Sequence, residues 1–163
     1  VENQGNEEVS LSLMLSRTPS ANEDVKPIAN GVEIDVQYAD LKGNAITIDK
    51  LQQGEEFLAK IRVKKTNDSS PSMALTYAVP SGWEIWNERL TGGEESQGAT
   101  YTDIRDTSIS WYFAIEQGQT KEFVVRLRAA YGGQFILPPT ICEDMYNPSC
   151  RANTTNGLTI VVR

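Results

Sequence analysis

The strongest constraint on this chain is the two-residue repeat of its apolar side chains. Val9, Leu11, Leu13 and Leu15 are spaced two apart, with Ser10, Ser12 and Ser16 at most of the neighbouring positions. Val32, Ile34, Val36 and Tyr38 alternate with Glu33, Asp35 and Gln37. Phe57, Ala59, Ile61 and Val63 alternate with Lys60, Arg62 and Lys64, and Phe123, Val125 and Leu127 repeat the pattern among Glu122, Val124, Arg126 and Arg128. Successive side chains on a strand point to opposite faces, so each run reads as a half-buried strand with one wet side. Further strands are expected at 45–48, 73–79, 107–115, 134–137 and 158–163. No window of a dozen residues holds helical spacing, and residues 49–54 hold at most one helical turn.

Turn pairs such as Asn30-Gly31, Ser81-Gly82, Gln117-Gly118 and Asn156-Gly157 separate the runs. About nine short strands with little helix predict an all-β fold, an antiparallel immunoglobulin-like β-sandwich, with a closed barrel as the alternative. Residues 17–29, with Pro19 and Pro27, and residues 91–102 read as long exposed connections. Neither divides the chain, because the strands on either side are too few for two sandwiches. The 163 residues are read as one domain, 1–163.

The sequence contains no histidine. Ser-His-Asp and Cys-His nucleophilic sites are therefore excluded, and two cysteines do not make a four-sulfur zinc site. The net charge of −7 argues against nucleic acid and anionic membrane as partners, since phosphate neutralisation needs a basic patch. Lys64-Lys65 is the one adjacent basic pair. No apolar run approaches the roughly 18 residues of a membrane span. The chain opens at Val1 without a signal-peptide pattern, as expected of a mature chain or an excised domain.

Candidate chemistry is sparse. Gly92-Gly93-Glu94-Glu95-Ser96-Gln97-Gly98 lacks the lysine of a phosphate loop, and its glutamates repel phosphate. The pairs Glu7-Glu8, Glu55-Glu56, Glu94-Glu95 and Glu143-Asp144 do not converge if they lie on strands, and 102–106 lacks a calcium-loop pattern. No catalytic residue, metal site or cofactor is expected. Trp83, Trp86 and Trp111, with Tyr112 and Phe113, either line a carbohydrate platform or fill core and edge positions, the second being favoured. Cys142 and Cys150 bracket a turn at Asn147-Pro148 and are candidates for a disulfide clamp. Asn67-Asp68-Ser69 and Asn153-Thr154-Thr155 match the glycosylation pattern, which is common by chance.

The most specific signal runs from Phe123 through Gly132-Gly133-Gln134-Phe135-Ile136-Leu137-Pro138-Pro139 into Cys142-Glu143-Asp144-Met145-Tyr146-Asn147-Pro148. This resembles the end of the bacterial α2-macroglobulin-like proteins, where Gly-x-Phe-x-x-Pro-Pro precedes a Glu-Ala-Met-Tyr-Asp-like loop. Residues 31–38, Pro80-Ser81-Gly82-Trp83-Glu84 and 101–106 are also similar to that family. The resemblance implies a non-catalytic C-terminal macroglobulin-like domain of a protease trap. In such a trap, bait cleavage exposes a thioester elsewhere in the chain.

The resemblance further implies that this domain docks on the thioester domain of its own chain. Tyr146 would touch the thioester, Met145 would lie beside it, and Glu143, Asp144, Asn147 and Pro148 would complete the shielding loop. An aromatic ring excludes water and a phenol donates a hydrogen bond, which suits that role. Implied partners are neighbouring domains of the same chain and, through the whole protein, target proteases. The implied location is periplasmic or extracytoplasmic, with any lipoprotein anchor outside this segment. Asp144 stands where the family usually has alanine, and Cys150 where an apolar residue is typical. The reading from a different class is a surface adhesion or carbohydrate-associated immunoglobulin-like binding module.

Overall fold

The computed structural model describes residues 2, 4–16, 23–86 and 98–163. The glycine-rich stretch at 92–97, with Glu94 and Glu95, lies outside the described residues, as do residues 17–22 with Pro19. Every regular element among the described residues is a strand. In chain order these are β1 (Ile28–Asn30), β2 (Val32–Asp40), β3 (Lys50–Gln52), β4 (Glu56–Lys65), β5 (Ser72–Ala78), β6 (Trp83–Ile85) and β7 (Tyr101–Ile104). They continue with β8 (Ser108–Ala114), β9 (Thr120–Ala129), β10 (Gly133–Leu137), β11 (Ile141–Asp144), β12 (Arg151–Asn153) and β13 (Gly157–Val162).

The strands form a six-stranded sheet in the order β1-β12-β11-β5-β8-β7, a four-stranded sheet β2-β4-β9-β6, and a small sheet β10-β13-β3. All pairings are antiparallel except β13 with β3. The alternating sequence explains the layers. Phe57, Ala59, Ile61 and Val63 of β4 and Phe123, Val125 and Leu127 of β9 face inward and are buried. Met73, Leu75 and Tyr77 of β5 and Ile109, Trp111 and Phe113 of β8 close over them. Phe123 lies at the centre of an aromatic cluster, 5.0 Å from Trp111 and 4.9 Å from Phe113 between ring centroids.

Three expectations need correction. Residues 9–15 belong to no sheet, and Leu13, Met14 and Leu15 are 90%, 91% and 91% exposed. Alternation fixes which side chains share a face, but a strand also needs a partner edge for its N–H and C=O groups. Residues 49–54 hold strand β3 and the turn that follows it, not a helical turn, because Lys50–Gln52 pairs in parallel with β13 and buries Leu51. Residues 45–48 contribute only an isolated bridge between Ala45 and Ala39. The count of about nine strands becomes thirteen because β1, β3, β6, β7, β11 and β12 are three- or four-residue pieces, too short to show a repeat, and outnumber the two expected strands that do not form.

Gly31 joins β1 to β2 with φ +75°, and a Cβ there would lie 2.3 Å from Asn67 Nδ2 and 2.9 Å from Cys150 Sγ. Both backbone and space therefore demand glycine. Of the two glycosylation-pattern asparagines, Asn67 is packed against this turn, while Asn153 Nδ2 donates to the carbonyls of Lys26 and Thr154.

Replacing Phe123 by alanine should cost about 3–5 kcal/mol, since it removes a ring packed on two others. Chemical denaturation of the two proteins measures this. A loss near zero would show that the two main sheets do not share the core described.

Candidate functional site

Strands β11 and β12 form a hairpin whose tip is residues 145–150. The register pairs Cys142 with Ala152 and Glu143 with Arg151, and Asp144 N–H donates to Cys150 O at 2.9 Å. A tight turn closes the tip. Cys150 N–H donates to Asn147 O at 2.9 Å, and Ser149 N–H donates to Asn147 Oδ1 at 3.2 Å. Pro148 sits inside this turn, where its fixed φ suits the second position. The tip is tied to the rest of the sheet by Met145 N–H donating to Ser72 O at 3.0 Å and by Asn30 Nδ2 donating to Ser149 O at 2.7 Å.

The hairpin separates its side chains by face. Met145 is 50% and Tyr146 76% exposed, so an aromatic and a thioether stand together in solvent. Glu143 and Pro148 are also exposed, and Asn147 is half-buried. Asp144, by contrast, faces inward and is buried. Its extra charge, expected beside the tyrosine ring, is instead directed into the domain, because the period of two that buries Cys142 also buries Asp144.

Asp144 is fully engaged there. Its Oδ1 accepts the N–H groups of Tyr146 (2.9 Å) and Asn147 (3.0 Å). Its Oδ2 accepts the Ser69 hydroxyl at 2.9 Å and lies 3.8 Å from Lys65 Nζ. Lys65 is wholly buried and also donates to Ser69 Oγ at 2.9 Å and Ser70 O at 2.6 Å. Burial alone would raise the Asp144 pKa. The Tyr146 N–H, the Ser69 hydroxyl, the Asn147 N–H and the Lys65 ammonium outweigh it and hold the carboxyl below its ordinary value. Lys65 and Ser69 were not singled out as site residues. The signal was present for Lys65, which continues the inward row Phe57, Ala59, Ile61 and Val63 at the same spacing.

Cys142 and Cys150 both face inward and are buried, and both are free thiols. In this structure the two are not bonded to one another. The residues directly opposite one another are Cys142 with Ala152 and Asp144 with Cys150, so the sulfurs belong to a diagonal pair. Diagonal partners have Cα atoms about 7–8 Å apart, beyond the usual disulfide range of about 4.4–6.8 Å. Burial and the neighbouring Cys150 push the Cys142 thiol up to about 12. Cys150 Sγ donates weakly to Asn67 Oδ1 at 3.6 Å.

The aromatic residues do not form one platform. Trp83, Trp111 and Phe113 are buried in the core. Trp86 is exposed on the far sheet beneath the Arg126 guanidinium, 4.7 Å from its ring centroid, and Tyr112 packs on Tyr101 at 5.8 Å. Among the described residues no three His, Cys, Asp or Glu side chains are grouped to hold a metal ion. Among the same residues no helix is long and apolar enough to cross a membrane.

This all-β, helix-free arrangement is a macroglobulin-like domain. Residues 31–149 match the family model described as the bacterial alpha-2-macroglobulin MG10 domain, and the chain belongs to that family. It is 26% identical over 144 residues to an alpha-2-macroglobulin of Pasteurella multocida, covering 87% of this chain and 7% of the relative. It is 25% identical over 180 residues to an alpha-2-macroglobulin of Escherichia coli, covering all of this chain and 11% of the relative. The chain thus spans about a tenth or less of these relatives. A crystal structure of native alpha-2-macroglobulin from Escherichia coli, from domain MG7 to the C-terminus, superposes with a TM-score of 0.76 at 25% identity, over 84% of this chain and 24% of that one. A crystal structure of Salmonella alpha-2-macroglobulin reacted with methylamine gives 0.77 at 25% identity, over 87% and 10%.

Two outcomes test this geometry. Asp144 has a lower pKa folded than its unfolded value of about 3.9, so the unfolded chain takes up the proton first as pH falls. Its stabilisation is complete above about pH 5 and is lost as pH drops through the folded pKa. Asp144→Asn strands the buried ammonium and should cost about 3–5 kcal/mol at neutral pH. In melting curves from pH 7 to pH 2 the gap between variant and parent should begin to narrow below about pH 4 and go on narrowing as pH falls. A constant gap would contradict the assignment. Separately, iodoacetamide at pH 8 should leave the folded chain unlabelled. Without reductant, the denatured chain should gain two adducts by mass, where a disulfide would give none.

Proposed function

We propose that this chain is a non-catalytic domain of a bacterial α2-macroglobulin protease trap. It would dock on the thioester domain of the same polypeptide and shield it before bait cleavage. The observation that carries this reading is the exposed Met145–Tyr146 pair, displayed at a hairpin tip whose Tyr146 and Asn147 N–H groups are held by the buried Asp144 carboxylate. A 76% exposed tyrosine gains little from its own domain, and a firm loop presenting aromatic and thioether groups suits insertion against another surface. A phenol O–H supplies a donor, and the ring excludes the water that would hydrolyse a thioester.

The outer faces of the two large sheets support the same orientation. The four-stranded sheet carries Glu33, Asp35, Lys60, Arg62, Lys64, Glu122, Arg126 and Arg128 outward, with Arg62–Glu122 and Arg126–Glu56 ion pairs. The six-stranded sheet, which bears the Met145–Tyr146 tip, shows Ser72, Ala74, Thr76, Ser110 and Ile141 outward, with Glu143, Arg151 and Asp103 as the charged residues of that face, fewer than on the four-stranded sheet. A face with fewer charges loses less on desolvation. Placement in the periplasm or another extracytoplasmic compartment follows from the same proposal, with proteases meeting the whole protein and not this domain alone. The adhesion or carbohydrate reading is not favoured, because Trp83 and Trp111 are buried and Trp86 is stacked with Arg126.

In the full-length protein, Tyr146→Gly should speed methylamine incorporation into the uncleaved thioester by about tenfold or more, as expected if one hydrogen bond and its shelter from water are lost. Tyr146→Phe should fall between, since the ring remains. Equal incorporation by all three proteins would refute the shielding role.

A further inference from the structure

The β11–β12 hairpin already closes through the Asn147–Cys150 turn, yet the N–H groups of Tyr146 and Asn147 are both taken by one oxygen of the strand below. We infer that Asp144 is the positioning residue of the docking loop: its Oδ1 fixes the backbone of Tyr146 and Asn147, while Ser69 and Lys65 hold its Oδ2 and keep the carboxylate from turning away. This deepens, and in its functional part rests on, the shielding reading.

The argument starts from exposure. Tyr146 is 76% exposed, so packing within the domain does little to orient it, and the direction of its ring is set by its main chain. Two N–H groups accepted by one carboxylate oxygen hold that main chain across the tip. The carboxylate is itself held from several elements. Lys65 reaches it from the end of β4, Ser69 from the β4–β5 connection, Met73 flanks it from β5, and Cys150 from the end of the tip just before β12. Lys65 is fixed independently by Ser70 O and by Met73 Sδ at 3.5 Å. A loop ordered before docking does not lose that freedom when it docks, which is how preorganisation strengthens an interface.

The inference separates the hydrogen-bonding oxygen from the charge. Asp144→Ala removes both. The Lys65→Met/Asp144→Asn pair removes the buried charges but keeps an oxygen that can accept from Tyr146 and Asn147. The first readout is amide hydrogen exchange on the 163-residue chain. The Tyr146 and Asn147 amides should exchange about tenfold faster in Asp144→Ala, the loss of roughly one hydrogen bond, and should stay near parent values in the double variant. The Cys142 and Ala152 amides should not change in either. If Asp144→Ala unfolds, Lys65→Met/Asp144→Ala removes the stranded ammonium and gives the same comparison. The second readout is methylamine incorporation by the full-length protein, which Asp144→Ala should accelerate toward the Tyr146→Gly rate while the double variant does not. Unchanged Tyr146 and Asn147 exchange in the alanine variant would overturn the positioning role. If the loop is released but neither Asp144→Ala nor Tyr146→Gly alters incorporation, the shielding reading fails and the structural role of Asp144 stands.

Discussion

The ammonium of Lys65 is sealed between the two main sheets, and a charge so placed is tolerable only with an opposite charge and hydrogen-bond acceptors around it. That requirement organises this end of the domain. It brings Asp144 of β11 beneath the end of β4 and draws Ser69 and Ser70 of the connecting turn over both. It also leaves the other carboxylate oxygen free to receive the hairpin tip. A buried pair of this kind is a weak source of net stability, but it fixes where three elements meet.

The rest of the fold makes that arrangement firm. Adjacent inward rows on β4, β9, β5 and β8 form one continuous apolar layer, and the hairpin grows from the sheet that covers it. Gly31 lets β1 turn into β2 close beside Asn67 and Cys150, so the chain can pass under the hairpin without a side chain in the way. The tip is therefore an extension of sheet and turn, and not a free loop. Under the proposed shielding role, placement as well as chemistry suits the exposed tyrosine there to recognition.

Much of the architecture was legible in the sequence. The longest strands, β2, β4 and β9, lie where Val32, Phe57 and Phe123 begin clear alternation, because long strands with one wet face carry a long repeat. The short strands were not legible, since three residues show no period, and β3 depends on a parallel partner over a hundred residues away. Residues 9–15 show the converse: a strand-like pattern without a partner strand among the described residues. At the proposed site, Met145 and Tyr146 stand out in the sequence through their resemblance to a family loop, and the structure adds that both are exposed. The inward turn of Asp144 was hidden because its neighbour Glu143 faces out and a pair of acids reads as surface. Lys65 was obscured in the same way by Lys64, though the alternation of β4 separates the two faces.

The central claim is that Met145 and Tyr146 are covered by another part of the same polypeptide until the bait is cut. Hydroxyl-radical footprinting of the full-length protein, before and after limited proteolysis, measures this at the two residues themselves. The account predicts slow modification of Met145 and Tyr146 in the intact protein and a severalfold rise after cleavage, with exposed Tyr131 on the far side of the domain unchanged. Equal modification of Met145 and Tyr146 before and after cleavage would contradict it.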